Sequence, residues 1–135
     1  MTIKELSQLY HLKNEIALNG RHLEELEVKR GISGLNMDGM PHARGAAESQ
    51  VERLAAEIVD LKAIIHAEQI QCIHEQARLE RFIAGIQDSE TRTIFKLRFV
   101  DGMSWKEVAR EAGAGNTPER VRQLCSRFLR GEGCG

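Results

Sequence analysis

The chain has 135 residues, of which 41% are hydrophobic, 29% charged and only 4% aromatic; this fits one or two small units and excludes a large enzyme. Few aromatics, 12 Gly and 2 Pro argue against a β-sandwich, whose strands draw on aromatic and β-branched residues. With 19 Lys+Arg against 20 Asp+Glu the formal net charge is −1, so any basic surface has to be local.

Residues 3 to about 29 contain a single Gly, Gly20, and no Pro. Leu6, Leu9, Leu12, Ile16, Leu23 and Leu26 recur mostly three or four apart, which predicts an amphipathic helix. Gly31, Gly34, Gly39, Pro41 and Gly45 then crowd together without periodicity, and 31–46 is expected to be a loop. A second helix is expected from about Ala46 into the eighties. Val51, Leu54, Ile58, Leu61 and Ile65 are spaced 3, 4, 3 and 4, a coiled-coil-like seam. At that spacing the seam continues through Glu68, Cys72 and Glu75 to Leu79 and Phe82, while Ile64, Ile70 and Ile73 lie off it and offer a second stripe for another helix. Two helices that each expose an apolar stripe are expected to pair as an antiparallel hairpin, within one chain or between chains.

Composition shifts near Gly85. Asp88 or Ser89 can cap a helix over Thr91 to Val100, with Ile94, Leu97 and Phe99 or Val100 inward, and Asp101-Gly102 breaks it. Ser104 and Glu107 have the capping-box spacing and start the next helix, whose inner face is Trp105, Val108, Ala109 and Ala112. The Gly113-Ala114-Gly115-Asn116 turn precedes Thr117 as a cap and Pro118 at a first helical position, where its missing N–H costs nothing. Val121, Leu124, Cys125, Phe128 and Leu129 form the buried stripe of this last helix, and 131–135 reads as a frayed tail. The order of capped helix, Gly-rich turn and capped helix is that of a helix-turn-helix. Local charge agrees: 87–135 carries nine Lys/Arg against seven Asp/Glu, and within Thr117 to Arg130 four Arg stand against Glu119 alone.

Other chemistries find little support. Cys72, Cys125 and Cys134 are odd in number and irregularly spaced, which reads as reduced thiols, with Cys125 on the apolar stripe as a core thiol. His66, Cys72 and His74 are not at the spacing of three or four that would let ligands share a helix face, and His11, His22 and His42 form no pattern with them, so no metal is expected. No nucleophile elbow, phosphate-cradling loop or zinc-protease helix is present, so neither an enzyme nor a cofactor is expected. No apolar run reaches the roughly 20 residues that span a bilayer, and Met1-Thr2-Ile3-Lys4-Glu5 does not open a secretory signal. A soluble, cytoplasmic protein without a membrane partner is expected.

The run Thr117-Pro118-Glu119-Arg120-Val121-Arg122-Gln123-Leu124, with Phe128-Leu129-Arg130, resembles the recognition helix of region 4 in sigma-70 family factors. Thr93 to Phe99 and Ser104 to Ala109 resemble the two helices before it, so the likeness covers about the last 45 residues. The whole arrangement is similar to phage and prophage regulators of the ArpU and RinA types. The resemblance implies that Glu119 and Gln123 contact base edges; Glu can accept from cytosine N4 and Gln can pair with adenine. It places Arg120 and Arg122 near phosphates. Apart from the resemblance, Arg127 and Arg130 can touch phosphate, interact with the helix C-terminal dipole or serve solubility alone, and Arg127 and the cap Thr117 complete the expected DNA-binding set. Pro118 stands where sigma factors carry an Arg that works near a guanine, so their promoter sequence does not transfer.

The expected architecture is all-α: residues 1–86 as a long helical hairpin serving oligomerisation, then 87–135 as a small helix-turn-helix domain. The expected function is sequence-specific regulation of phage or prophage transcription on double-stranded DNA. A homodimer on half-sites about one helical turn apart is expected, with host RNA polymerase as a further partner. Two alternatives stand beside it: a small terminase-like DNA-packaging subunit, and a helical module that binds polymerase or sigma without DNA.

Overall fold

A computed structural model describes the backbone of residues 1–36 and 44–131 and the side chains of 1–33 and 49–131. These residues form helices and turns with no strand among them: α1 (Ile3–Leu6), α2 (Gln8–Asn36), α3 (Arg44–Ala84), α4 (Ser89–Phe95), a π-helical turn (Lys96–Val100), α5 (Trp105–Glu111) and α6 (Pro118–Leu129). No described helix is long and apolar enough to cross a membrane. Contacts divide the chain into two compact units, one of residues 14–71 and one of residues 1–13 with the chain from Cys72 onward.

In the first of these, α2 and α3 pair as an antiparallel hairpin within one chain. Leu26, Leu54, Ile58 and Leu61 are buried, with Leu23 and Ile65 packed against them, so the 3-4 seam faces the partner helix as its spacing requires. Two polar links share the antiparallel register: Asn19 donates to Glu68 at 2.7 Å, and Lys62 pairs with Glu27 at 3.7 Å. Glu68 holds its seam position and is only 8% exposed. One carboxylate oxygen takes the Asn19 amide, and Oε2 has no hydrogen-bond partner. Off the seam, Ile64 and Ile70 are exposed, so the second stripe expected to pack on another helix is not covered in this unit.

The expected loop at 31–46 is corrected at both ends. Residues 31–36 continue α2 and 44–46 begin α3, while 37–43, with Gly39, Pro41 and His42, lie outside the described residues. Gly costs only about 1 kcal/mol relative to Ala in a helix interior, and an established helix adds a hydrogen bond with each residue it fixes. Nothing lies within 4 Å of where a Cβ of Gly31 would sit, so no close packing holds that glycine apart from the helix. Cys134 and the expected tail beyond Gly131 also lie outside the described residues.

The second unit builds its core from several elements. Leu6 and Leu9 pack with Leu79, Ile83 and Ile86, and with Ile94, Phe95, Phe99 and Val100, Val108 and Ala109, and Val121 and Cys125. Phe95 is fully buried and lies 6.2 Å from Phe82, 5.4 Å from Phe99 and 5.3 Å from Phe128, ring centroid to centroid. The composition shift near Gly85 marks the end of α3, and the last turns of that helix belong to this unit.

Asp88 caps α4, accepting from the Thr91 amide at 3.0 Å and its hydroxyl at 2.7 Å. The helix expected over Thr91 to Val100 does not stay α-helical. It widens into the π-helical turn, whose end is held by Asp101 N–H on the Lys96 carbonyl at 3.0 Å and Met103 N–H on the Leu97 carbonyl at 3.1 Å. The Arg98 guanidinium donates to the Met103 carbonyl at 2.8 Å and lies 4.4 Å over the Trp105 ring, locking this turn to the start of α5. Ser104 and Glu107 close the expected capping box. Gly113 and Gly115, at φ +113° and +88°, supply the left-handed backbone that turns the chain between α5 and α6.

Candidate nucleic-acid interface

Helix α6 begins where its sequence places it. Thr117 accepts from the Arg120 amide at 3.1 Å, and Pro118 occupies the first turn. Val121 and Cys125 are fully buried, and Leu124, Phe128 and Leu129 half-buried. Burial pushes the Cys125 thiol up to about 12, with Arg98 opposing weakly, as suits a core thiol. The opposite face presents Glu119, Arg120, Arg122, Gln123, Arg127 and Arg130 to solvent.

Three of the six expected site residues form one cluster. Glu119 accepts from Arg122 through two donors, at 2.5 and 3.2 Å, and from the Gln123 amide at 3.0 Å. The Arg122 hydrogen bond holds the Glu119 carboxyl below its usual range, and Glu119 in turn raises Arg122. Both groups are more than half exposed, so water screens the pair and its contribution to stability is small. Arg120 is engaged elsewhere. Its guanidinium donates to Glu90 of α4 at 2.8 Å and to the Asn116 side chain, tying α6 to α4. Thr117 serves as the helix cap.

Arg127 lies one turn beyond Gln123 and has no hydrogen-bond or ion-pair partner among the described residues. Gln123 and Arg127 line two open grooves. One, of about 290 Å³, is completed by Asp88, Thr91, Arg120, Leu124 and Phe128. The other, of about 260 Å³, adds Arg122, Ser126 and Arg130. A helix face carrying four guanidinium groups beside polar grooves can bind phosphate oxygens, and Gln123 can pair with a base edge once it leaves Glu119.

Sequence reasoning missed the restraints on this face. Asn116 is four residues before Arg120 and was legible as a neighbour; Glu90 is thirty residues away and gave no local signal. Among the described residues no group of three His, Cys, Asp or Glu side chains comes together as a metal site.

No curated protein and no solved structure matches the chain. One family does, over residues 39–119, from before α3 to the first turn of α6. That is more than half of the chain, which therefore belongs to the family described as "Protein of unknown function (DUF1492)".

Proposed function

We propose that this chain is a sequence-specific DNA-binding regulator of transcription, of phage or prophage type, that lays α6 in the major groove. The observation that carries the proposal is the two-sidedness of α6. Its apolar face is fixed in the core by Val121 and Cys125, while four Arg, Gln123 and a single carboxylate occupy the outer face. Arg122 and Arg127 supply phosphate contacts and Gln123 reads a base edge. Glu119 trades the Arg122 and Gln123 donors for cytosine N4, and Arg120 reaches phosphate from its tie to Glu90. The resemblance to sigma region 4 supports the same docking. One small reader makes few base contacts, so two copies act on half-sites about 34 Å apart; host RNA polymerase is the further partner.

The test is fluorescence anisotropy on duplexes of random sequence across a salt series. A reader neutralising about four phosphates gives a slope of log affinity against log salt near −3.6. A flat response would overturn DNA binding. On a cognate site, Gln123→Ala should lose more affinity than on random duplex, while Arg122→Ala should lose equally on both. A ring of subunits in light scattering, with DNA binding retained, would replace regulation by DNA packaging.

A further inference from the structure

Helix α3 carries a second row of mostly apolar residues on its outer side. Ala56, Val59, Ala63, His66 and Ile70 follow one another at 3, 4, 3 and 4, and Ile73 continues the spacing on the same helix. At 3.6 residues per turn the row lies roughly 160° round α3 from the buried seam that packs on α2. All six residues are exposed, and the three β-branched ones most plainly so: Val59 is 65%, Ile70 44% and Ile73 68% exposed. A single apolar side chain in water needs no explanation, but a row of them marks an interaction surface. This row keeps the period at which the knobs of one helix enter the holes of another.

We propose that this row is a homodimer interface, in which α3 packs antiparallel on α3 of a second copy. The 3-4 spacing points to a helix as the occupant, and the order of the residues points to this same helix. With a two-fold axis crossing between Ala63 and His66, Ala56 meets Ile73, Val59 meets Ile70 and Ala63 meets His66 of the other copy. The axis repeats each of these contacts, giving six layers. No layer then holds two alanines or two histidines, and the methyl of Ala63 leaves room for the imidazole. A parallel pair would stack every residue on itself, with Ala on Ala and His66 on His66. The margins agree with the antiparallel arrangement. It sets Lys62 beside Gln69 and Asp60 beside Ala67 of the other copy, so no like charges meet, and Lys62 is already paired with Glu27 at 3.7 Å. A polar residue within such a row, here His66, fixes the register.

The test is sedimentation equilibrium of the full chain, which should give a dimer. Ile70→Glu should weaken that dimer at least about a hundredfold, because the axis places the new carboxylate in two apolar layers, and Val59→Lys should do the same. The two substitutions together should recover at least about tenfold of the loss, since each lysine then faces a glutamate of the other copy. Both positions are exposed in the single chain, and unchanged helicity by circular dichroism verifies that the variants fold. A chain that stays monomeric at millimolar concentration, or a dimer indifferent to Ile70→Glu, would overturn the proposal. A double variant no tighter than the single ones would also overturn it, as a parallel pair would set like charges together. The inference deepens the two-copy reading above and rests on it for the stoichiometry, yet α6 takes no part in the interface. A monomer that binds duplex would therefore remove this interface alone, and a dimer that ignores duplex would remove the DNA-binding reading alone.

Discussion

Replacing Glu68 by Leu should strengthen the helical hairpin. Glu68 occupies a seam position among Leu61, Ile65 and Cys72, is 8% exposed, and leaves Oε2 without a partner. A buried acceptor left unsatisfied costs about 1–3 kcal/mol. Leu removes that cost, and burying its side chain contributes about 1.5–3 kcal/mol. Against this stands the Asn19–Glu68 bond at 2.7 Å, which as a bond to a charged acceptor stabilises by about 1.5–3 kcal/mol. Asn19 is only half-buried, so water can replace part of that bond. The two side chains are close in volume, which limits repacking strain. The net expectation is a gain of about 1–3 kcal/mol. Hydrogen exchange at the Leu26, Leu54, Ile58 and Leu61 amides reads it locally, protection rising about tenfold for each 1.4 kcal/mol. The same variant should return Glu15 to an ordinary carboxyl, since the Glu68 charge is the largest cause of its raised pKa. Reduced protection would show that the Asn19 bond outweighs the unpartnered oxygen and would refute the reasoning.

Glu119→Gln removes the carboxylate that holds Arg122 in the free chain and should tighten binding to random duplex, most at low salt, with the slope staying near −3.6 because Arg122 contacts phosphate either way; unchanged affinity would mean that Glu119 does not compete with phosphate for Arg122. Phe95→Ala should cost about 3–5 kcal/mol, because Phe95 is fully buried among Phe82, Phe99 and Phe128; urea unfolding followed by Trp105 fluorescence measures it, and a loss below 1 kcal/mol would contradict the packing. Cys125, its thiol pushed up to about 12 by burial, should resist alkylation at pH 8 in the folded chain and react after denaturation, as read by peptide mass spectrometry. Acid should act oppositely on the two units. Glu5, Asp88 and Glu119 have lowered values in the fold, the first two mainly through bonds to Thr2 and Thr91, so their contribution is present above their ordinary range and fades as pH falls through the lowered values. Glu15 is raised, so its contribution is present in acid and fades as pH rises. Between pH 6 and 3 the urea midpoint seen by Trp105 should therefore fall faster than hairpin protection, and the reverse order would contradict the signs.

The hairpin was legible because one physical pattern fixes it. Apolar residues at 3-4 spacing share a helix face, and Leu54, Ile58 and Leu61 are buried as that spacing requires. The caps at Ser104 and Thr117 were equally plain, since each is a local side-chain bond to an amide three residues on. What the sequence hid depends on competition or distance. Gly31 and Gly34 weaken a helix by less than its continuation gains, so α2 runs past them to Asn36. The π-helical turn is accompanied by Arg98 reaching Met103 and Trp105, five and seven residues on, contacts that have no propensity signature. On α6 the residue types announced a polar, cationic face, yet the bond from Arg120 to Glu90 and the gathering of Arg122 and Gln123 on Glu119 emerge only from the folded helices.

The central claim, that the outer face of α6 meets a nucleic-acid duplex, is tested most directly by titrating the isotopically labelled chain with random duplex DNA at low ionic strength. Amide shifts should concentrate from Thr117 to Arg130, largest around Gln123 and Arg127, and should diminish as salt is added. A spectrum that stays unchanged, or shifts confined to α2 and the first half of α3, would contradict it.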